Sequence, residues 1–114
     1  MRLPTLKKSS QFSQIRNKGN YFKSSSFNGY ILHDADLENF LVGIIASKKL
    51  GNAVERNRAK RRLKELINKN TIQRFNFGMD YVLIARKASL DRDFQDLQQD
   101  LNSAINFFQT KQNL

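Results

Sequence analysis

Two patterns of apolar and polar positions run along the chain and predict its elements. In one pattern apolar side chains recur every three or four positions, which is the spacing of an amphipathic helix. This pattern covers residues 9–19, 53–67 and 94–108. The other pattern consists of short apolar or alternating runs bounded by serine, glycine or acidic residues, which is typical of strands. These runs are residues 21–23, 27–32, 40–47 and 81–85.

Each predicted helix has an apolar side that can pack on a sheet. The first helix places Phe12 and Ile15 three positions apart and ends near Gly19. We expect Ser89 or Asp91 to cap the last helix, because Ser and Asp side chains accept hydrogen bonds from the first helical turn. The apolar residues of the second helix are Ala59, Leu63, Leu66 and Ile67. Those of the third helix are Phe94, Leu97, Leu101, Ala104, Ile105 and Phe108.

The order of these elements predicts an α+β fold, α-β-β-β-α-β-α, built as a single-domain two-layer α/β sandwich. Residues 40–47 and 81–85 flank the second helix, so the two strands are expected to run parallel with that helix as their crossover. At 114 residues the chain is long enough for one modest core. We therefore expect one domain over residues 1–114, with 1–5 and 110–114 frayed at its ends.

Composition narrows the function. A formal net charge of +10 and a pI near 10.2 make a polyanion the expected partner, nucleic acid first and an anionic membrane second. Apolar stretches are too short to span a bilayer or to form a signal-peptide core, so we expect a cytoplasmic protein with no membrane partner. The chain contains no Cys, which excludes disulfides and thiolate zinc sites. Its single His, His33, leaves little for a metal site or an imidazole base.

Positive charge is concentrated between residues 48 and 64, where eight of the twenty basic residues meet one carboxylate, Glu55. Gly51 permits a turn, and Asn52 with Glu55 three residues later is typical of a helix start. On the helix that follows, four side chains turn away from the apolar side and two flank it. The outward residues are Asn57, Arg58, Arg61 and Lys64, and the flanking residues are Lys60 and Arg62.

This basic helix face has two interpretations. A solvated helix usually mixes charges of opposite sign four positions apart, and here only Glu55 and Glu65 are available. Arginine also suits bidentate contact with phosphate oxygens. We therefore favour an anionic partner over simple solvation.

The same stretch resembles a known family. Residues 47–65, SKKLGNAVERNRAKRRLKE, resemble the signature of the bacterial ribonuclease P protein subunit, whose hallmark is Arg-Asn-Arg on a helix. Arg56, Asn57 and Arg58 match that hallmark. The resemblance extends more weakly to Leu6-Lys7-Lys8, Phe12-x-x-Ile15-x-x-x-Gly19, Phe27 with Tyr30, Val42-Gly43 and Asp80 to Lys87. It implies a left-handed crossover, although such connections are almost always right-handed.

The resemblance also implies a function. In that family the protein is the small subunit of an endoribonuclease that removes the 5′ leader of precursor tRNA, and the RNA subunit carries out the Mg²⁺-dependent hydrolysis. No catalytic residue, metal or cofactor is then expected on the protein alone. The implied partners are ribonuclease P RNA and precursor tRNA, with no obligate protein partner.

Two surfaces follow from the family pattern by position. The residues expected to meet the catalytic RNA are Arg56, Arg58, Lys60, Arg61 and Arg62. The residues expected to hold the leader strand are Phe12, Arg16, Tyr30, Lys48, Lys49, Ala53 and Asn57. Arg16 stands where the family often has a second aromatic residue, and its guanidinium can stack on a base or contact phosphate.

Several alternatives stay open at this point. Phe12 can pack in the core or stack on an RNA base. A nuclease that acts alone needs paired histidines or clustered carboxylates, and neither is evident here. A non-catalytic ribosomal or other structural RNA-binding protein would share the size and charge of this chain. A basic DNA-architectural protein is a third possibility, but no dimer seam or recognition helix is evident.

Overall fold

Four strands form one sheet with helices on both of its faces. The computed structural model describes the backbone of residues 9–33, 40–67 and 79–112, and the side chains of residues 12–33, 40–67 and 79–110. The elements are α1 (Ser9–Lys18), β1 (Asn20–Lys23), β2 (Phe27–His33), β3 (Leu41–Ile45), α2 (Ala53–Leu66), β4 (Met79–Ala85), a 3₁₀ helix (Lys87–Leu90) and α3 (Phe94–Gln112). This confirms the predicted order.

Some sequence predictions concern residues at the margins of the described ranges. The acidic connection at 34–39, the irregular segment 68–77 and the frayed residues 1–5 lie outside the described residues. Residues 110–112 were expected to fray but continue α3. There the Thr110 hydroxyl donates to the carbonyl oxygen of Asn106 at 2.9 Å, which adds a side-chain bond to the last turns.

The sheet has the strand order β1-β2-β4-β3. β2 pairs antiparallel with β1 on one side and β4 on the other, whereas β3 pairs parallel with β4. Helix α2 connects β3 to β4 and is therefore the crossover that the sequence predicted. The left hand of that crossover stays a prediction.

One face of the sheet, here called the core face, packs against α2 and α3. Phe27, Ile31 and Val42 are almost completely buried on it. Helices α2 and α3 contribute the predicted apolar residues except Phe94, which was expected in the core but is 43% exposed. Burying one such side chain contributes about 1.5–3 kcal/mol. Near the end of α3, the ring centroids of Phe107 and Phe108 lie 5.5 and 6.2 Å from that of Phe22. The core face therefore fixes α2 and α3 on the sheet.

The opposite face, here called the groove face, is only partly covered. Ile15 of α1 is 1% exposed and packs against Val82 of β4. The side chains around this pair are partly buried, and they are Phe12, Tyr30, Leu32, Leu41, Ile45 and Ile84. Tyr30 and its chain neighbour Ile31 point to opposite faces, because Ile31 belongs to the core face.

The start of α2 has the predicted capping box. The backbone N–H of Glu55 donates to Asn52 Oδ1 at 2.9 Å, and the backbone N–H of Asn52 donates to Glu55 Oε1 at 3.1 Å. A Cβ at position 51 would collide with the Glu55 carboxylate, so Gly51 permits this close approach. The single carboxylate in the basic stretch is thus engaged at the helix start.

The start of α3 corrects the sequence prediction. The helix begins at Phe94, and the carbonyl oxygen of Asp93 accepts the N–H groups of Asp96 and Leu97 at 3.0 and 3.1 Å. The predicted caps lie earlier: Ser89 is inside the 3₁₀ helix, and Asp91 follows it. The cause is tertiary, because a side chain of α2 binds the carbonyl groups of this segment and holds it in a separate turn.

Candidate nucleic-acid interface

The outward side of α2 forms a basic surface. Its side chains are exposed, as the helical spacing predicted, and they are Asn57, Arg58, Lys60, Arg61 and Lys64. We call the four cations of this set the basic face. None of them forms an ion pair within the part of the chain that the structure describes. Like charges close together on one helix repel each other, so this surface favours a polyanion.

Burial of the opposite side of α2 sets the direction of the basic face. Ala59, Leu63 and Leu66 are each 0% exposed, and they dock the helix on the core face of the sheet. Lys64 was recognised from the sequence as outward-facing but was not assigned to RNA. Its exposure places it with Arg61 on the same surface.

Arg62 does not belong to the basic face. Its Nη1 donates to the carbonyl oxygens of Ser89 and Leu90 at 2.7 and 2.8 Å, and its Nη2 donates to that of Arg92 at 2.6 Å. The fold thus engages both terminal nitrogens of this half-buried side chain, which favours a structural role, and the contact of Arg62 with RNA phosphates stays a prediction. Arg56 is intermediate: it is half-buried, and its Nη1 donates to the carbonyl oxygen of Gly51 at 3.1 Å.

A groove of about 440 Å³ opens between α1 and the ends of β3 and β4. It is lined by Arg16, Ile45, Ser47, Lys48, Lys49 and Ile84. Three expected leader-binding residues, Arg16, Lys48 and Lys49, therefore meet in one cavity. Ile45 and Ile84, here called the apolar floor, line the same cavity. Such a site attracts a phosphate backbone and offers apolar surface to its bases.

Aromatic side chains lie beside this groove on the same face of the sheet. Phe12 is half-buried and packs with the apolar cluster around Ile15. The ring therefore packs on the sheet and also remains partly accessible, and its stacking on an RNA base stays a prediction. Tyr30 is half-buried as well, and its ring centroid lies 4.9 Å from that of Tyr21 on β1.

Two other expected leader-binding residues lie apart from the groove. Ala53 and Asn57 are exposed in the first turns of α2 and do not line the cavity. They follow the turn that contains Lys48 and Lys49, in which the N–H of Leu50 donates to the Ser47 carbonyl oxygen at 3.0 Å. Leu50 is buried and anchors that turn. The start of α2 therefore continues from the rim of the groove toward the basic face.

Sequence reasoning missed the groove residues that carry no charge. Ile45 and Ile84 come from two strands that are far apart in the chain, Ser47 follows β3, and only the parallel pairing of Ile45 with Ile84 brings these residues together. Alternation within each strand indicated which residues share a face. It did not indicate which part of that face stays open.

The carboxylate of Asp100 on α3 serves the fold. Asp100 Oδ2 accepts hydrogen bonds from Ser26 Oγ at 2.5 Å and from Arg92 Nη1 at 2.9 Å. Residues 9–33, 40–67 and 79–112 contain no group of three or more His, Asp or Glu side chains that could hold a metal ion. His33 is exposed at the end of β2. In the same ranges, no helix has the length and apolarity needed to cross a bilayer.

Comparison with known proteins identifies similar chains. The family model described as Ribonuclease P matches residues 2–109. The ribonuclease P protein component of Listeria innocua is 33% identical over 96 residues, which are 84% of this chain and 80% of that protein. The Bacillus cereus component is 34% identical over 96 residues, 84% of this chain and 83% of that protein.

A solved structure has the same fold. It is the ribonuclease P protein of Staphylococcus aureus, in the form of a mutant with defective mRNA degradation activity. The two chains superpose with a TM-score of 0.80 at 31% identity, over 92% of this chain and 87% of that one.

Proposed function

The chain belongs to the ribonuclease P protein family, and from that membership we propose how its two basic surfaces divide their work. It is the protein subunit of ribonuclease P, an endoribonuclease of tRNA processing, and its partner is the ribonuclease P RNA. The ribosomal and other structural RNA-binding alternatives are not favoured, because the family model covers residues 2–109. Phosphodiester hydrolysis belongs to the RNA subunit of the enzyme.

The basic face of α2 is proposed to bind the catalytic RNA. Arg58, Lys60, Arg61 and Lys64 are exposed cations on a helix that the core holds rigidly. Their contact with phosphates would release counterions from the RNA, which favours binding without reading its sequence. Arginine adds bidentate geometry, which suits the closely spaced phosphates of a folded RNA.

The groove is proposed to hold the 5′ leader of precursor tRNA. The observation that carries this proposal is the meeting of Arg16, Lys48 and Lys49 with the apolar floor in one cavity, with Phe12 and Tyr30 beside it. Leaders are single-stranded and vary in sequence. Cations that contact phosphates and rings that stack on any base provide binding that tolerates this variation.

The proposal also covers where Mg²⁺ acts and in which compartment the protein works. Mg²⁺ is expected to act with the RNA in the holoenzyme, because hydrolysis belongs to the RNA subunit. The expected contribution of the protein is to bind and position both RNAs, without an obligate protein partner. The cytoplasm is the expected compartment, where precursor tRNA is available.

Reconstitution tests the proposed function directly. The chain is added to a ribonuclease P RNA at low Mg²⁺, and removal of the 5′ leader is scored with and without the protein. We expect the protein to stimulate cleavage and the holoenzyme to bind precursor tRNA more tightly than mature tRNA of the same sequence. Equal affinity for the two tRNAs would contradict leader binding. Copurification with ribosomal subunits and no stimulation would instead favour the ribosomal alternative.

A further inference from the structure

The floor of the groove continues across the whole sheet. Ile45 and Ile84 are paired in register, Ile84 is also paired with Asn28 of β2, and Asn28 is paired with Lys23 of β1. Residues paired in register lie side by side with their side chains on the same face. The two groove residues are therefore the first half of a row that ends at the β1 edge.

A second row runs parallel to the first, two residues along each strand. It consists of Gly43, Val82, Tyr30 and Tyr21, again paired in register from β3 to β1. The Tyr21 ring extends this row to the β1 edge, and its centroid lies 4.9 Å from that of Tyr30 with the two planes at 49°. Two aromatic rings thus stand next to each other on the groove face.

Tyr21 is unusually accessible for a large side chain. It is 44% exposed, and the other exposed large apolar side chains in the described ranges are Val54 at 77% and Phe94 at 43%. Those two belong to α2 and α3, whereas Tyr21 continues a surface already proposed to bind RNA. Contact with Tyr30 restricts the Tyr21 ring, so a base that stacks on it would meet an ordered partner.

The neighbours of Tyr21 have the chemistry of a nucleotide site. Lys23 is exposed on the same face of β1, two positions away. Asn28 is half-buried on the same face, although its Oδ1 is buried. Residues 20–33 contain no Asp or Glu, so no carboxylate of this hairpin repels a phosphate. An aromatic ring, a cation and an amide therefore share one face.

We propose that the outer hairpin is an additional subsite for single-stranded RNA, in which Tyr21 stacks on a base and Lys23 contacts a phosphate. The inference rests on the proposed function, because the occupant of the subsite is the part of the precursor tRNA leader that extends beyond the groove. Continuity with the groove floor and the positive charge of Lys23, with no carboxylate in residues 20–33, favour this occupant. The subsite would make the affinity for precursor tRNA depend on leader length even for leaders longer than those that the groove alone can bind.

The test uses the reconstituted holoenzyme and precursor tRNAs whose leaders grow by one nucleotide at a time. Dissociation constants are measured for each leader length and for mature tRNA. We expect Tyr21→Ala to weaken binding of long leaders roughly 5- to 160-fold, the range for loss of one base–aromatic stack, and to leave the shortest leaders unchanged. Tyr21→Phe keeps the ring and should retain the affinity.

Two further variants separate stacking from general effects. Lys23→Ala should lower the slope of log K against log salt by about one unit for long leaders only. Phe94→Ala removes an aromatic ring of similar exposure, 43%, from the start of α3 and should change no affinity. Thermal unfolding of each variant confirms that the comparison is made between folded proteins.

Three results would overturn the inference, and they differ in meaning. If Tyr21→Ala binds every leader as the wild type does, while Phe12 and Tyr30 variants lose leader affinity, the subsite is absent and the groove stands. If the wild-type holoenzyme does not distinguish precursor from mature tRNA, the proposed leader binding and the subsite both fail. If Tyr21→Ala weakens binding of the catalytic RNA, the hairpin contacts that RNA instead.

Discussion

Arg62 of α2 donates from Nη1 to the carbonyl oxygen of Ser89 at 2.7 Å and thereby ties the basic helix to the 3₁₀ helix. Two more carbonyl groups, those of Leu90 and Arg92, accept hydrogen bonds from the same guanidinium. A side chain from the most basic stretch of the chain is thus part of the architecture. Arg58 and Arg61 on the same helix do not have this structural role. Helix α2 therefore carries two kinds of arginine, one that binds the fold and others that are exposed.

Replacement of Arg62 should primarily reduce stability. Arg62→Ala leaves three carbonyl groups without their donor, and we expect a loss of about 1–3 kcal/mol in the free energy of unfolding. Urea denaturation measures this loss. Arg62→Lys should restore little of it, because an ammonium group cannot reproduce the fork geometry. Unchanged stability together with a lower salt slope for RNA binding would return Arg62 to the RNA contacts.

Replacement of Arg58 or Arg61 should primarily reduce RNA binding and leave stability almost unchanged. Arg58→Ala or Arg61→Ala is expected to weaken binding of the catalytic RNA and to lower the slope of log K against log salt by about one unit each. The free energy of unfolding should change by less than about 0.5 kcal/mol, as for other exposed positions. Affinity titrations over a salt series provide the measurement.

A conservative variant separates charge from geometry on the basic face. Arg58→Lys keeps the positive charge, so the salt slope should persist while the affinity falls through loss of bidentate contact. If both alanine variants kept the wild-type affinity and slope, the basic face could not be the contact surface for the catalytic RNA.

Phe12 and Tyr30 should determine how strongly the holoenzyme prefers precursor tRNA. Phe12→Ala and Tyr30→Ala are each expected to cost about 1–3 kcal/mol of that preference, because each removes one base-stacking ring. The ratio of dissociation constants for mature and precursor tRNA measures the effect. Affinity for the catalytic RNA serves as the internal reference and should not change.

Phe12 also packs on the sheet, so a second substitution is needed to separate its two roles. Phe12→Leu retains apolar contact with the cluster around Ile15 but removes the aromatic face. We expect near-normal stability with a reduced preference for precursor tRNA. A variant with normal preference would show that the ring serves packing alone.

Arg16 offers a test of the position where the family often has an aromatic residue. Arg16→Phe replaces a cation that lines the groove with a ring of similar reach. The expected result is a preference for precursor tRNA that persists through stacking, with a salt slope lowered by about one unit. Binding measured at two salt concentrations distinguishes the two contributions. An unchanged slope would mean that Arg16 does not contact a leader phosphate.

Local signals in the sequence were sufficient for the order of the main elements and for α2 in particular, but not for the start of α3. Asn52 and Glu55 lie three residues apart and form the predicted capping box, because all of its atoms belong to one turn of chain. Ala59, Leu63 and Leu66 are buried as their spacing indicated. The outward direction of Arg58 and Arg61 follows from the same periodicity. The signature that identifies the family also lies within this stretch.

Tertiary structure decided what depended on residues far apart in the chain. The sequence alone determined the order of elements, the start and buried side of α2 and its excess of positive charge, because helix periodicity and capping act over a few residues. Only the folded sheet placed Ile45 beside Ile84, Tyr21 beside Tyr30 and Arg62 on the carbonyl of Ser89. Strand register and side-chain contacts across the core set these pairs, and neither is encoded in the local pattern of apolar and polar positions.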